Sequence, residues 1–336
     1  MEPKYTKYVL GRVNSQSYQS SFKSVIPELS CSTENWRFFY LNMFVYNLKN
    51  SFAERKSFIT IFTLKLCSLK ALDGYVMEWD TESFNFTNDF YIGHEGTVNG
   101  ITDEQNCIAV VCNDGSTSLV DRRFGKIVTL ETAKRKSRHC CFCQNKLAIG
   151  YDDGIIKFWD IVSQKWGDSI EQHREAITSM SSRKNEIMSS SLEGSVAVWN
   201  VEKNEERYHF KLDKPINSCK YVPNGKMILL STSNGDAFFY KLENNSKSSY
   251  FHGFSKNVDC VPFDFLTDTR EGQFLKKFIV SSDENRNINF WSVETMKCVA
   301  TIDTLDSPVT ALSCHPTQMI LITGGNISDT SIKLWK

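Results

Sequence analysis

The sequence predicts an all-β chain built from repeats, and three observations predict it: a recurring turn, a recurring strand ending and a constant spacing. The phrase pairs an acidic or amide residue with glycine and runs on into an alternating strand that closes on an aromatic and a polar residue. Counting five residues from the glycine, it reads Asp73-Gly74 to Trp79-Asp80, Asp114-Gly115 to Val120-Asp121, Asp153-Gly154 to Trp159-Asp160, Glu193-Gly194 to Trp199-Asn200 and Asn234-Gly235 to Tyr240-Lys241. Two looser copies close at Trp291-Ser292 and Trp335-Lys336. The closing positions 79, 120, 159, 199, 240, 291 and 335 are 41, 39, 40, 41, 51 and 44 residues apart. A period near forty means one small unit per repeat, which buries its apolar face only by stacking on its neighbours.

Repeats of this length, with Gly-His early (Gly93-His94, more loosely Gln172-His173) and Trp-Asp late, resemble the WD-repeat family. The resemblance covers nearly the whole chain and implies a seven-bladed β-propeller, one four-stranded blade per repeat. It also implies structural roles for Trp79, Asp80, His94, Asp121, Trp159, Asp160, His173, Trp199, Trp291 and Trp335. In such blades the histidine bonds a turn acid and a strand hydroxyl that reach the tryptophan.

Composition bounds the rest. Of 336 residues, 41% are hydrophobic and 23% charged, ordinary for a globular chain, and one closed domain over 1–336 is expected. The 39 basic residues balance the 39 acidic ones, so no global field draws the chain to nucleic acid or to an anionic membrane. Direct nucleic-acid binding and membrane contact are therefore not expected. Eleven cysteines, an odd count, behind an N-terminus without a secretory pattern suit reduced thiols in a nuclear or cytoplasmic protein.

Taken in order, Tyr5 to Val13 belongs to no complete repeat. The last repeat stops on its third strand, Ile332 to Lys336, so the N-terminal segment is expected to supply the missing outer strand and close the ring. The first blade is expected to begin over 17–41, with Trp36-Arg37-Phe38-Phe39-Tyr40 as a strand. Residues 42–67 then read as an insertion in that blade, either a partner-binding lobe or an artefact of the gene model. Pro223-Asn224-Gly225-Lys226 signals a type I turn, and Asp268 to Gln273 lengthens one surface hairpin.

The ending, Cys314-His315-Pro316-Thr317 and Ile332-Lys333-Leu334-Trp335-Lys336, resembles the last blade of the WD-repeat core subunit of COMPASS-type histone H3 lysine methyltransferase complexes. That subunit grips an arginine between two aromatic faces, under a tyrosine. The matching positions here are His139 and Pro262 for the faces and Leu192 for the tyrosine, with Cys260 alone retained. The resemblance thus implies a complex subunit whose partners are proteins, histone-modifying subunits among them, without the arginine grip.

Other constellations are weaker. Lys134-Arg135-Lys136-Ser137-Arg138 reads as a localisation or phosphate-contacting run, or as a solvated loop. Asp121 and Arg123 match part of a phrase by which WD-repeat substrate receptors dock on cullin-type ubiquitin ligases. His139-Cys140-Cys141-Phe142-Cys143 lacks the spacing of a zinc site, and no phosphate loop or nucleophile elbow is present. A scaffold without cofactor or metal, and not an enzyme, is expected. Its chromatin, ubiquitin-ligase and RNA-processing or trafficking versions stay open, with a nuclear location preferred under the first.

Overall fold

Alternating apolar and polar residues between tight turns fold here as short antiparallel strands. The computed structural model describes residues 8–10, 13–14, 17–18, 29–30, 43–47, 59–62, 66–70, 75–80, 86–92, 98–104, 106–130, 135–223, 227–243, 246–254, 263–268, 276–303, 309, 311–316, 318–324 and 331–335. The first strands are β1 (Tyr8–Leu10), β2 (Val13–Asn14), β3 (Ser17–Tyr18), β4 (Leu29–Ser30) and β5 (Met43–Asn47). Next come β6 (Ile59–Phe62), β7 (Leu66–Lys70), β8 (Tyr75–Asp80) and β9 (Phe86–Tyr91), then β10 (Val98–Glu104), β11 (Cys107–Cys112), β12 (Thr117–Asp121) and β13 (Lys126–Leu130). The middle of the chain holds β14 (Ser137–Cys143), β15 (Lys146–Tyr151), β16 (Ile155–Asp160) and β17 (Lys165–Glu171), followed by β18 (Ile177–Arg183), β19 (Glu186–Ser191), β20 (Ser195–Asn200) and β21 (Glu205–Lys211). Then follow β22 (Ile216–Tyr221), β23 (Met227–Thr232), β24 (Asp236–Lys241), β25 (Ser246–His252), β26 (Phe263–Asp268), β27 (Lys276–Ser282), β28 (Asn287–Ser292) and β29 (Cys298–Asp303). The chain ends on β30 (Ala311–Cys314), β31 (Leu321–Gly324) and β32 (Ser331–Trp335).

Five sheets are four-strand meanders of consecutive strands, from β6 to β9 through β22 to β25, and a sixth meander, β26 to β29, carries β4 as a fifth strand on its outer edge. Their first strands lie side by side around an axis, β6 against β10, β10 against β14, β14 against β18 and β18 against β22, with β30 between β26 and β6. Lys220 of β22 reaches Asp264 of β26 at 2.9 Å, and Asp264 also accepts the Cys314 N–H of β30 at 2.9 Å. This is an all-β propeller.

The expectation of seven like blades is corrected to six contiguous ones. The terminal strands have no fourth strand of their own: their sheet is ordered β30, β31, β32, β5, β1. The strand beside β32 is β5, with Leu334 opposite Phe44, while the anticipated segment, as β1, stands one place further out. Residues 42–67, read as an insertion, hold β5, β6 and the start of β7, and β6 is the first strand of the sheet β6 to β9. Trp36 to Tyr40, His94, Lys134, Asn224 to Lys226, Cys260, Pro262 and Thr269 to Gln273 lie outside the described residues.

The cores sit between neighbouring sheets. Phe90 and Val76 pack with Ile108 and Val120, and Phe251 and Phe254 with Phe263 and Trp291. Among the described residues no helix is long and apolar enough to cross a membrane.

The glycines of the recurring phrase answer a backbone demand. Gly115, Gly154, Gly194 and Gly235 have φ of 88, 83, 86 and 83°, a region that side chains rarely enter. At Gly154 a Cβ would lie 2.4 Å from the His173 carbonyl oxygen. Gly154→Ala is expected to lower the unfolding free energy by about 2 kcal/mol, from left-handed strain plus that clash. Gly167→Ala, whose nearest neighbour would be 3.8 Å away and whose φ is not positive, should be neutral or slightly stabilising, and urea titrations of the two variants check both.

Candidate functional site

The described turns are of two kinds, one on each rim of the propeller. On the rim of the glycine turns, Asp114 Oδ1 accepts the Ser116 N–H at 2.8 Å, Asp153 Oδ1 the Ile155 N–H at 3.2 Å and Asp283 Oδ1 the Asn285 N–H at 2.8 Å. On the opposite rim the polar residue after the closing aromatic does the same work. Asp121 Oδ1 accepts the Arg123 N–H at 2.9 Å, Asp160 Oδ1 the Ser163 N–H at 2.7 Å and Asn200 Oδ1 the Lys203 N–H at 2.9 Å. The Arg123 guanidinium and the turn N–H groups hold the Asp121 carboxyl below its usual range; the Ser163 N–H and hydroxyl do so for Asp160. The Asp of Trp-Asp is thus a turn cap.

At His173 the histidine network forms as far as the hydroxyls and the acid and stops short of the tryptophan, because Trp199 Nε1 has no hydrogen-bond partner among the described residues. The His173 Nδ1 lies 2.6 Å from Ser195 Oγ and its Nε2 2.7 Å from Ser189 Oγ, while Ser195 donates to Glu193 Oε1 at 2.8 Å. Burial pushes Glu193 up, but bonds from the Arg174 N–H, Ser195 and Lys211 outweigh it and bring it down to about 2. Ionised Glu193 accepts the Ser195 hydroxyl hydrogen bond, so His173 Nδ1 carries the hydrogen and Nε2 accepts from Ser189. Burial, only partly offset by Glu193, lowers the imidazole to about 4.

The tryptophans differ by one partner. Trp291 Nε1 donates to Ser281 Oγ at 2.9 Å and Trp335 Nε1 to Thr323 Oγ1 at 3.0 Å. The same register position beside Trp159 is Ile149, and Trp159 instead meets Trp166 edge-on at 5.2 Å. Trp199 is half-buried, and Trp79 lies on β8 beside half-buried Asp80.

The partner-binding candidates are dispersed. His139 is half-buried on β14 and Leu192 half-buried just after β19, in neighbouring blades. Arg135 is paired with Asp153 at 2.9 Å, Lys136 is exposed and Arg138 half-buried. Arg123 is pinned by Asp121 at 2.8 Å with Phe124 5.2 Å from its guanidinium, on the opposite rim. Cys140, Cys141 and Cys143 are buried, and burial raises all three thiols, Cys143 to about 11. Among the described residues no group of three or more metal-ligating side chains occurs.

Two features escaped the sequence reading. The first strands β10, β14, β18 and β22 each break register after their first residue, leaving Asn99, Arg138, Thr178 and Asn217 as the extra residue at one end of the central channel. Their spacing of 39, 40 and 39 follows the repeat and was the available signal. The second is a buried ion triad: Arg122 Nε meets Glu78 Oε1 at 2.5 Å and Nη2 meets Asp103 Oδ2 at 2.8 Å, with side chains 8%, 3% and 5% exposed.

Fold and turns together define a β-propeller that presents capped turns on two rims. Residues 296–336 match the family model for the WD domain, G-beta repeat. The chain is 25% identical over 158 residues to the WD repeat-containing protein 55 homolog of Dictyostelium discoideum, covering 46% of this chain and 39% of that protein. It is 25% identical over 199 residues to the protein transport protein SEC31 of Yarrowia lipolytica, 55% of this chain and 16% of that one. A third similarity, 27% over 113 residues, is to the cilia- and flagella-associated protein 43 of Xenopus laevis, 34% of this chain and 6% of that one. The matched part thus spans less than half the length of each relative. These comparisons support the WD40-repeat family.

Proposed function

We infer that the chain is a non-enzymatic scaffold that docks partner proteins on its rims as a subunit of a multiprotein complex. The observation behind this reading is that one backbone is repeated with unlike tips. Turns with the same left-handed glycine present Asn113-Asp114, Asp152-Asp153, Leu192-Glu193 and Ser233-Asn234. A fixed frame with variable tips suits protein recognition. The pairing of β5 with β32 and the place of β6 at the head of the sheet β6 to β9 support residues 42–67 as part of the propeller rather than an artefact of the gene model.

The resemblance of the last blade supports a histone methyltransferase or other chromatin complex and a nuclear location, with His139, Leu192, Arg135, Lys136 and Arg138 as rim contacts. The exposed Asp121–Arg123 pair favours a second reading, a substrate receptor of a cullin-type ligase. The similarity to a protein named for protein transport supports a trafficking adaptor as a third. Affinity purification of the endogenous protein with mass spectrometry tests all three. A SET-domain core supports the first, and a cullin adaptor released by Arg123→Ala the second. Recovery of no reproducible assembly overturns the scaffold itself.

A further inference from the structure

An outer strand leaves a row of unpaired N–H and C=O groups that another strand can use. In the sheets that hold β9, β13, β17, β21 and β25 the outer strand comes last, with no further strand among the described residues. The sheet β26 to β29 differs: β4 lies on the edge of β29, with Leu29 opposite Ile302 and Ser30 opposite Thr301. Low charge does not single out β29, since β13 and β25 hold one lysine each. What singles it out is that the chain itself lays a strand there.

That strand is lightly held. β4 makes two pairs, whereas β5, the next strand along the chain, makes five with β32. The reason lies in the residues around it. Extending the ladder by one residue would set two acidic residues, Glu28 and Asp303, opposite each other, and Pro27 comes next, without an N–H to donate. In the other direction β29 bulges at Val299, since Ala300 faces Phe290 and Cys298 faces Trp291. β29 itself is firmly held. Ile302 is buried in the core shared with the last sheet, Val299 and Ala300 pack against that core, and Thr301 Oγ1 donates to Asn289 Oδ1 at 2.9 Å. The edge therefore outlasts the departure of β4.

We propose that the edge of β29 is a docking site for an extended segment of a partner protein, and that β4 is its resident, displaceable occupant. The segment that fits pairs with Thr301 and Ile302 through its backbone. Unlike β4, it brings a basic residue opposite Asp303 and no proline beside it. Backbone pairing supplies the hold, and the residue facing Asp303 the selectivity. β4 competes from within the chain, at the high local concentration that its tether to β5 provides, so a partner meets an edge that is free only part of the time. The inference rests on the reading of this chain as a scaffold. Its test needs only the chain and a peptide, so it stands or falls apart from whatever assembly is purified.

The probe is a fluorescent peptide of sequence 25–33 with Pro27→Thr and Glu28→Lys, titrated by anisotropy against variants of the full chain. Successive N–H groups of a strand point to opposite sides, so Leu29→Pro with Ser30→Pro removes the one aimed at β29. This double variant should bind the peptide about tenfold more tightly than wild type, because the internal competitor is gone. A chain carrying Glu28→Lys, whose own β4 then suits Asp303, should bind it about threefold more weakly than wild type. Adding Asp303→Lys to the double variant should weaken its binding by about threefold or more. The Glu28→Lys chain keeps both pairs and decides by itself if the prolines unfold the protein. Equal affinity for wild type and these β4 variants would overturn the proposal, as would indifference to Asp303→Lys or a peptide that binds none of the chains.

Discussion

Arg122→Ala is expected to lower the unfolding free energy at neutral pH by about 3–5 kcal/mol, the largest effect of any single substitution considered. The guanidinium holds two carboxylates, Glu78 on β8 and Asp103 on β10, across the junction between two sheets, and all three side chains are almost fully buried. Removing the cation takes the Arg122 counter-charge away from two buried carboxylates. Burial already raises the Asp103 carboxyl, with Arg122 opposing the rise, so in the variant it rises further. A carboxyl raised in the folded state binds more protons folded than unfolded, so it costs stability as pH climbs through its folded pKa. The deficit of Arg122→Ala should therefore shrink as pH falls, and urea titrations of both proteins from neutral to acid check this. A loss below about 1 kcal/mol, or one that does not change with pH, would mean that water already reaches the triad.

Other repeats show what the triad replaces. The residue before the closing aromatic is Leu119, Phe158, Val198, Phe239, Phe290 or Leu334 in the other copies, and Glu78 in this one. Two residues past the aromatic, where Arg122 stands, the next copies have Ile161, Val201, Leu242 and Val293. An apolar contact has been exchanged for an ionic one at a single junction. Arg122→Val combined with Glu78→Leu and Asp103→Asn should recover most of the stability that Arg122→Ala loses, since well-packed apolar residues replace buried ion pairs at little cost.

Much of the frame was legible because its markers lie on the third strand and the turn before it. Trp79, Val120, Trp159, Trp199, Tyr240, Trp291 and Trp335 each fall near the end of the third strand of a meander, β8, β12, β16, β20, β24, β28 and β32. First and outer strands carry no such marker. That is why β5 and β6 were hidden inside an apparent insertion, and why the first contiguous sheet begins at Ile59 rather than near Ser17. Charge at an apolar repeat position would have revealed Glu78, whereas its tie to Arg122, 44 residues away, needs the packing of two sheets. The tryptophan partners were also visible in principle: Ser281 and Thr323 are hydroxyls where the copies ending at Val120, Trp159 and Tyr240 have Val110, Ile149 and Leu230. The rim contacts were least legible, because a turn tip is chosen by its partner and not by the fold.

His173 gives the second large effect, and it appears with acid. Its imidazole is buried and neutral, lowered from 6.5 to about 4 by desolvation. A group lowered in the folded state binds more protons when unfolded, so its contribution is complete above pH 6.5 and is lost as pH falls through about 4. Over that window the loss is about 3 kcal/mol, at 1.36 kcal/mol per pH unit. Glu193, lowered from 4.5 to about 2, sheds its own contribution mostly below that window, so the two steps separate along the pH axis. His173→Gln should flatten the stability curve between pH 6.5 and about 4 while leaving the more acidic Glu193 step in place. The variant starts lower at neutral pH, because an amide cannot span Ser195 and Ser189 as the ring does, and the two curves should converge toward pH 4. The check is the difference between wild-type and variant urea midpoints at closely spaced pH values. A difference that stays constant across the window would show that the ring is already protonated in the fold, with Nε2 then donating to Ser189 rather than accepting from it.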